Sequence, residues 1–125
     1  MRYEQTASGR NARLTRDPDT TVGIDITYVS PEVLARQTDE SSLIDGVPLL
    51  TVEILSPSDT VDEINEKIDA YLSAGVPLVW IIEPYRRTAT IYRPQEPPRL
   101  VTEREELSGG MVLPGFRVSL ADLFR

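Results

Sequence analysis

The sequence predicts an α/β domain: a mixed β-sheet flanked by helices. Three observations predict it. Residues 49–55, LLTVEIL, and 78–82, LVWII, are apolar on both faces, as strands in the middle of a covered sheet are. The best-marked helix of the chain lies between them, so strand, helix and strand form a parallel crossover unit. Residues 88–93 then return with clean alternation and add an antiparallel arm. A length of 125 residues predicts one domain, 1–125, long enough for a single core.

Residues 1–21 are polar and show little apolar periodicity. An edge strand, a turn at Asp17-Pro18-Asp19 and loose N-terminal chain are expected there. Arg10, Arg13 and Arg16 are open to two readings, solvated charge or a basic arm for phosphates. Residues 22–29, VGIDITYV, alternate, with Val22, Ile24, Ile26 and Tyr28 on one side and Gly23, Asp25, Thr27 and Val29 on the other. This predicts a strand with one apolar face and Asp25 on the more polar one. Ser30 and Pro31 then open a short helix, as N-cap and first helical residue. Residues 38–45 read as an acidic loop.

In residues 49–55, Leu50, Val52 and Ile54 share one face, and Leu49, Thr51, Glu53 and Leu55 share the other. Pro57 ends the strand. Thr60 and Glu63 stand at capping-box spacing, with Asp59, Asp62 and Glu63 at the positive end of the helix that follows. Val61, Ile64, Ile68, Tyr71 and Leu72 make its apolar stripe. Lys67 falls about 80° from the stripe's centre by the helical repeat. From that edge its long stem can run along the buried face toward the sheet, and Glu63, one turn back, is a possible pair for it. Gly75 suits the left-handed position past the helix end. Beyond residues 78–82, a turn at 84–87 leads into the hairpin arm. Pro94, Pro97 and Pro98 break it. Residues 100–107 read as an edge strand, Gly109-Gly110 as a turn, and Ser119 as the cap of a short last helix over 120–124.

Composition narrows the chemistry. There is no cysteine and no histidine, which excludes disulfides, thiolate zinc sites, imidazole ligands and a Ser-His-Asp triad. Any metal must be held by oxygen, which favours magnesium, manganese or calcium. Without a base to activate them, Ser56 and Ser58 read as turn and cap residues. No glycine-rich phosphate loop follows a strand, so no nucleotide cofactor is indicated. No apolar run approaches the roughly 20 residues of a membrane span, and a cytoplasmic protein is expected. The net charge of −7 is uneven: residues 37–69 hold nine acids and one base, the rest eleven acids and twelve bases. That balance disfavours tight metal-free DNA binding and suits capture of a cation, although a solvated acidic surface is the plain alternative.

Two acids stand out because they interrupt apolar strands. A buried carboxylate needs a partner, a cation or an exit to water. Asp25 and Glu53 are read as meeting at one divalent metal site. Two carboxylates and a backbone carbonyl can hold Mg²⁺ or Mn²⁺ with waters left on it. Lys67, the only lysine in the chain, can orient or deprotonate a water there or stabilise charge on a phosphate. The plainer readings are a strand acid reaching solvent for Asp25 and a metal-free salt bridge to Lys67 for Glu53. Tyr71 reads as core.

The run 46–92 then carries a resemblance. VEILSPS, the lysine and tyrosine of EKIDAY, AGVPLVWIIEP and the closing TIYR together resemble the Uma-type restriction endonuclease-like family of the PD-(D/E)XK nuclease superfamily. The likeness continues upstream to GIDITYVS and loosely to LPGFRVSLADLF. It implies a restriction endonuclease-like core and Mg²⁺- or Mn²⁺-dependent hydrolysis of DNA. It assigns Asp25 and Glu53 as metal ligands, the Ile54 carbonyl as a further ligand, and Lys67 as the superfamily's lysine moved onto the helix, with Leu55 in the usual lysine position. Two features depart from the family pattern: Gly23-Ile24 replaces its proline, and some sixty further N-terminal residues, including helices, have no counterpart. The chain is therefore expected to be a shortened relative, or to receive the missing face from a partner such as a second copy in a dimer. Two functions follow as expectations, a metal-dependent DNA endonuclease or a catalytically inactive nuclease-like interaction module. A remnant of a mobile-element gene without activity is a third.

Overall fold

A computed structural model describes residues 10–13, 21–24, 26–35 and 43–124. Its centre is a five-stranded sheet of β3 (Ile26–Tyr28), β5 (Leu50–Ile54), β6 (Val79–Glu83), β7 (Thr88–Tyr92) and β8 (Arg99–Val101), in that spatial order. β5 and β6 are parallel and joined by helix α2 (Val61–Ser73), and every other pair in this sheet is antiparallel. This is the expected mixed sheet around one crossover unit.

Two smaller sheets and two short helices flank it. β1 (Arg10–Arg13) lies between β2 (Thr21–Ile24) and β4 (Leu43–Asp45), antiparallel to the first and parallel to the second. β9 (Glu106–Ser108) pairs with β10 (Arg117–Ser119). Helices α1 (Pro31–Ala35) and α3 (Leu120–Leu123) are short.

Alternation along the central strands creates two cores. Leu50, Val52, Trp80 and Ile82 face one side, where Leu107, Leu113 and Leu120 close over them. Val79 and Ile81 face the other, under Ile68 and Tyr71 of α2. Helix α2 is set by its ends. Thr60 caps it by accepting from the Glu63 amide at 3.2 Å. At the far end the Gly75 amide donates to the Leu72 carbonyl and the Val76 amide to the Tyr71 carbonyl. This Schellman closure requires the left-handed φ of 98° that Gly75 supplies. Gly109 is needed for space instead, because a Cβ there would stand 2.3 Å from that of Leu113.

Several expectations fail in instructive ways. The strand expected over 22–29 is two strands in two sheets: β2 gives its ladder to β1, and β3 gives its own to β5. Nor does it have one apolar face, since Thr27 and Val29 are as buried as Tyr28. The edge strand expected within 1–21 is β1, the middle strand of its sheet. The acidic loop over 38–45 ends in β4. The edge strand over 100–107 is broken because Glu105 closes a turn: its amide donates to the Thr102 carbonyl, and its carboxylate accepts from the Thr102 amide and hydroxyl. Val61 is 75% exposed, because the apolar stripe reaches the core only from Ile64 onward. Ser119 makes no side-chain cap, because it is engaged as a strand residue opposite Glu106.

Candidate active site

Glu53 is the only charged residue buried among the described residues. Strand β5 explains why. Residues 51 and 53 turn their side chains to the α2 face, so a carboxylate at 53 must enter the layer between sheet and helix. There its side chain is 3% exposed. Two residues of α2 meet it. Lys67 places Nζ 3.4 Å from Oε2, and the Tyr71 hydroxyl donates to Oε1. Lys67 and Tyr71 are four apart on one helix, so they share a face and act on the same carboxylate from one rigid element.

The lysine behaves as its position at the stripe's edge predicts. Its stem runs inward and its ammonium pairs with Glu53, not with Glu63 one turn back. The side chain remains 36% exposed. Its outer side joins a depression of about 410 Å³ lined by Asp59, Glu63, Ile64, Glu66 and Ala70. Three acids on that rim favour cations and repel a bare phosphate.

Tyr71, expected from the sequence to be core, is core and also belongs to this cluster. It is fully buried, yet its hydroxyl is committed to Glu53. The signal was present: a phenol on a buried stripe needs a partner, and its spacing from Lys67 points at the same one. Ser56 and Ser58 form a turn, as expected. Asp59 accepts from the Ser56 amide at 2.7 Å and from its hydroxyl at 3.2 Å, and the two serine hydroxyls are 2.9 Å apart. The turn delivers Thr60 to its capping position.

The remaining predicted site residues stand as follows. The Ile54 side chain points away from Glu53, to the opposite sheet face, and is 44% exposed. Its peptide groups lie on the edge of β5 that faces β3, because the Thr51 and Leu55 amides donate toward β6. Asp25 lies outside the described residues. Among the described residues no three acidic side chains come together as a metal-ligating group. The donors at hand, the Glu53 carboxylate and the carbonyl of the next residue, are hard oxygens and fit Mg²⁺ or Mn²⁺ in kind. By themselves they fall short of a full ligand set.

A protein-family comparison matches nearly the whole chain. Residues 3–121 match the family model Uma2, described as "Putative restriction endonuclease". The chain belongs to the Uma2 family. Its fold agrees with the crystal structure of a nuclease, described as putative, from Anabaena variabilis. That likeness has a TM-score of 0.82 at 22% identity, over 98% of this chain and 68% of the other. At this identity the likeness establishes the shared fold. No curated protein matches the chain. The expected family and the restriction endonuclease-like, mixed-sheet fold are thus borne out. No helix among the described residues is long and apolar enough to cross a membrane.

Proposed function

We propose that this chain is a divalent-metal-dependent endonuclease that hydrolyses DNA phosphodiester bonds. Glu53 and Asp25 are its carboxylate ligands for Mg²⁺ or Mn²⁺, the Ile54 carbonyl is a further ligand, and Lys67 stands beside the reacting phosphate. The observation that carries this reading is the burial of the Glu53 carboxylate between sheet and helix, clamped by Lys67 and Tyr71. Stability alone gives little reason for such a carboxylate, because a well-packed apolar replacement of a buried ion pair is often neutral or stabilising. Asp25 enters this reading through the resemblance of GIDITYVS to the family's metal-binding strand.

Each residue has a distinct task. A bound divalent ion supplies an acidified water and neutralises phosphate charge. Tyr71 positions the Glu53 carboxylate by holding Oε1 from inside the core. Lys67 has one side on Glu53 and the other in the open depression. From there its ammonium can donate to the attacking water or to a phosphoryl oxygen as negative charge develops on it. The acidic rim makes the depression unattractive to DNA until a cation has entered.

Nicking of supercoiled plasmid in Mn²⁺ tests this. Wild type is expected to cut. Glu53→Gln is expected to lose cutting with its circular dichroism unchanged, and Lys67→Met to fall by about 10²–10³-fold, the usual cost of losing one group that stabilises transition-state charge. Wild-type protein that leaves plasmid and single-stranded DNA intact in Mn²⁺ would overturn the assignment.

A second reading has its own observation. Both Glu53 oxygens already have protein partners, so the carboxylate is compensated without a metal. On that reading the chain is a nuclease-like interaction module, assembled as a homodimer, and Mn²⁺ produces neither cutting nor a thermal shift.

A further inference from the structure

Helix α2 borders a second depression beside the one that Lys67 enters. It measures about 320 Å³, and Asp59 and Ile64 line both. Leu55, Val61 and Ile64 give it an aliphatic wall, and the turn at 84–87 brings Tyr85 and Arg86 to it. Val61 is 75% exposed and Tyr85 67% exposed. An aromatic ring and an aliphatic side chain left in water beside a hollow mark a binding surface, not a core.

The polar groups select the ligand. The side chains of Asn65, Tyr85 and Arg86 make no hydrogen bond or ion pair with other described residues, so none of those residues competes with a ligand for them. Asp59 and Glu83 also line the hollow. Two carboxylates against one guanidinium disfavour a phosphate here and leave a neutral, planar group as the better guest. Such a group can stack on the Tyr85 ring and the Arg86 guanidinium, and the Asn65 amide offers a donor and an acceptor to its edge. A nucleobase has those features: flat faces, no charge and hydrogen-bonding edges.

Position supplies the rest of the ligand. Val61 and Lys67 are six positions apart on α2, about 9 Å along its axis. A strand with one phosphate at Lys67 therefore brings a nearby base to Tyr85. In a duplex that base is stacked and paired, so reaching the ring requires an unpaired or extruded nucleotide.

We propose that the hollow at Tyr85 holds an unpaired base stacked on the Tyr85 ring, so that the substrate class is single-stranded or locally unpaired DNA. This rests on the nuclease reading, which it narrows.

The probes are a fluorescein-labelled oligothymidylate of about 12 nucleotides, within the usual single-strand site size, the same backbone without bases, and a blunt duplex of equal length. They are titrated in Ca²⁺ and read by anisotropy. Wild type is expected to bind the oligothymidylate more tightly than either other probe. Tyr85→Ala is expected to weaken the oligothymidylate by about 5–150-fold, as loss of one stacked base would, and to leave the abasic strand unchanged. Tyr85→Phe keeps the ring and is expected to bind as wild type does. Tyr85 is exposed, so both variants are expected to keep the wild-type melting temperature. Equal binding of the thymidine and abasic strands would overturn the proposal. So would a duplex bound as tightly as the single strand, or an oligothymidylate affinity indifferent to Tyr85→Ala. Plasmid nicking in Mn²⁺, run in parallel, separates this failure from that of the reading beneath it. Cutting without a base preference overturns the pocket alone, and a protein that neither cuts nor binds overturns both. A base preference that needs Tyr85, without cutting, keeps the pocket and overturns catalysis.

Discussion

On one side of strand β5, Val52 and Ile54 look onto an apolar layer with Trp80 and Phe116. On the other, Thr51 and Glu53 look onto helix α2. The two faces use the same backbone and the same neighbouring strands, yet their chemistry is opposed. The apolar face has aliphatic and aromatic contacts and one orphaned indole N–H. The α2 face has the β5 carboxylate, met by an ammonium and a phenol one helical turn apart on α2. A strand whose side chains alternate can therefore separate stability from chemistry at single-residue spacing. The apolar face supplies burial, and the α2 face gives up some of it to hold charge.

That contrast can be broken by substitution. The largest effect is expected on the apolar face. Trp80→Ala should cost about 3–5 kcal/mol, the usual range for truncating a buried aromatic, read by urea unfolding. A loss under about 1 kcal/mol would mean that this face is not a packed core. On the α2 face, Tyr71→Phe keeps the ring and removes only the donor to Glu53. It should cost about 1–3 kcal/mol, because a buried carboxylate loses a hydrogen bond that water cannot replace. An unchanged midpoint would show that the phenol does not support Glu53.

The smallest effect is expected in the turn between β8 and β9. The Glu105 carboxyl is held below its ordinary value of 4.5, first by the Thr102 backbone N–H, with help from the Thr102 hydroxyl and Arg99. A carboxyl lowered in the folded state stabilises above its unfolded value and loses that contribution as pH falls through its folded one. Glu105→Gln should therefore lie slightly below wild type in melting temperature near neutral pH and converge on it in acid. Parallel curves across the acid range would contradict this role.

Much of the architecture was legible because local signals agreed. The two-sided apolar strands, the Thr60 cap, the stripe of α2 and the turn at Gly75 all point to the same crossover unit, and each is determined within a few residues. What was not legible depends on partners distant in sequence. Alternation over 22–29 reads as one strand, but nothing local says that its first half pairs with β1 and its second with β5. Likewise 100–107 looks extended until Glu105 folds back onto Thr102. At the site, Glu53 was legible as a charge inside an apolar run, and the reach of Lys67 followed from its angle on the helix. The part played by Tyr71 was hidden because a phenol on a buried stripe satisfies a core pattern as well as a polar one. Position 25 lies outside the described residues, so its assignment rests on the family resemblance.

The most direct test of the central claim is calorimetric titration of Mn²⁺ into wild type and Glu53→Gln at low salt. The account predicts binding to wild type that is lost in the variant, with the fold of the variant intact by circular dichroism. Equal binding by both proteins would place the cation elsewhere. No binding by wild type would leave Glu53, Lys67 and Tyr71 as a metal-free cluster and remove the basis for hydrolysis at this site.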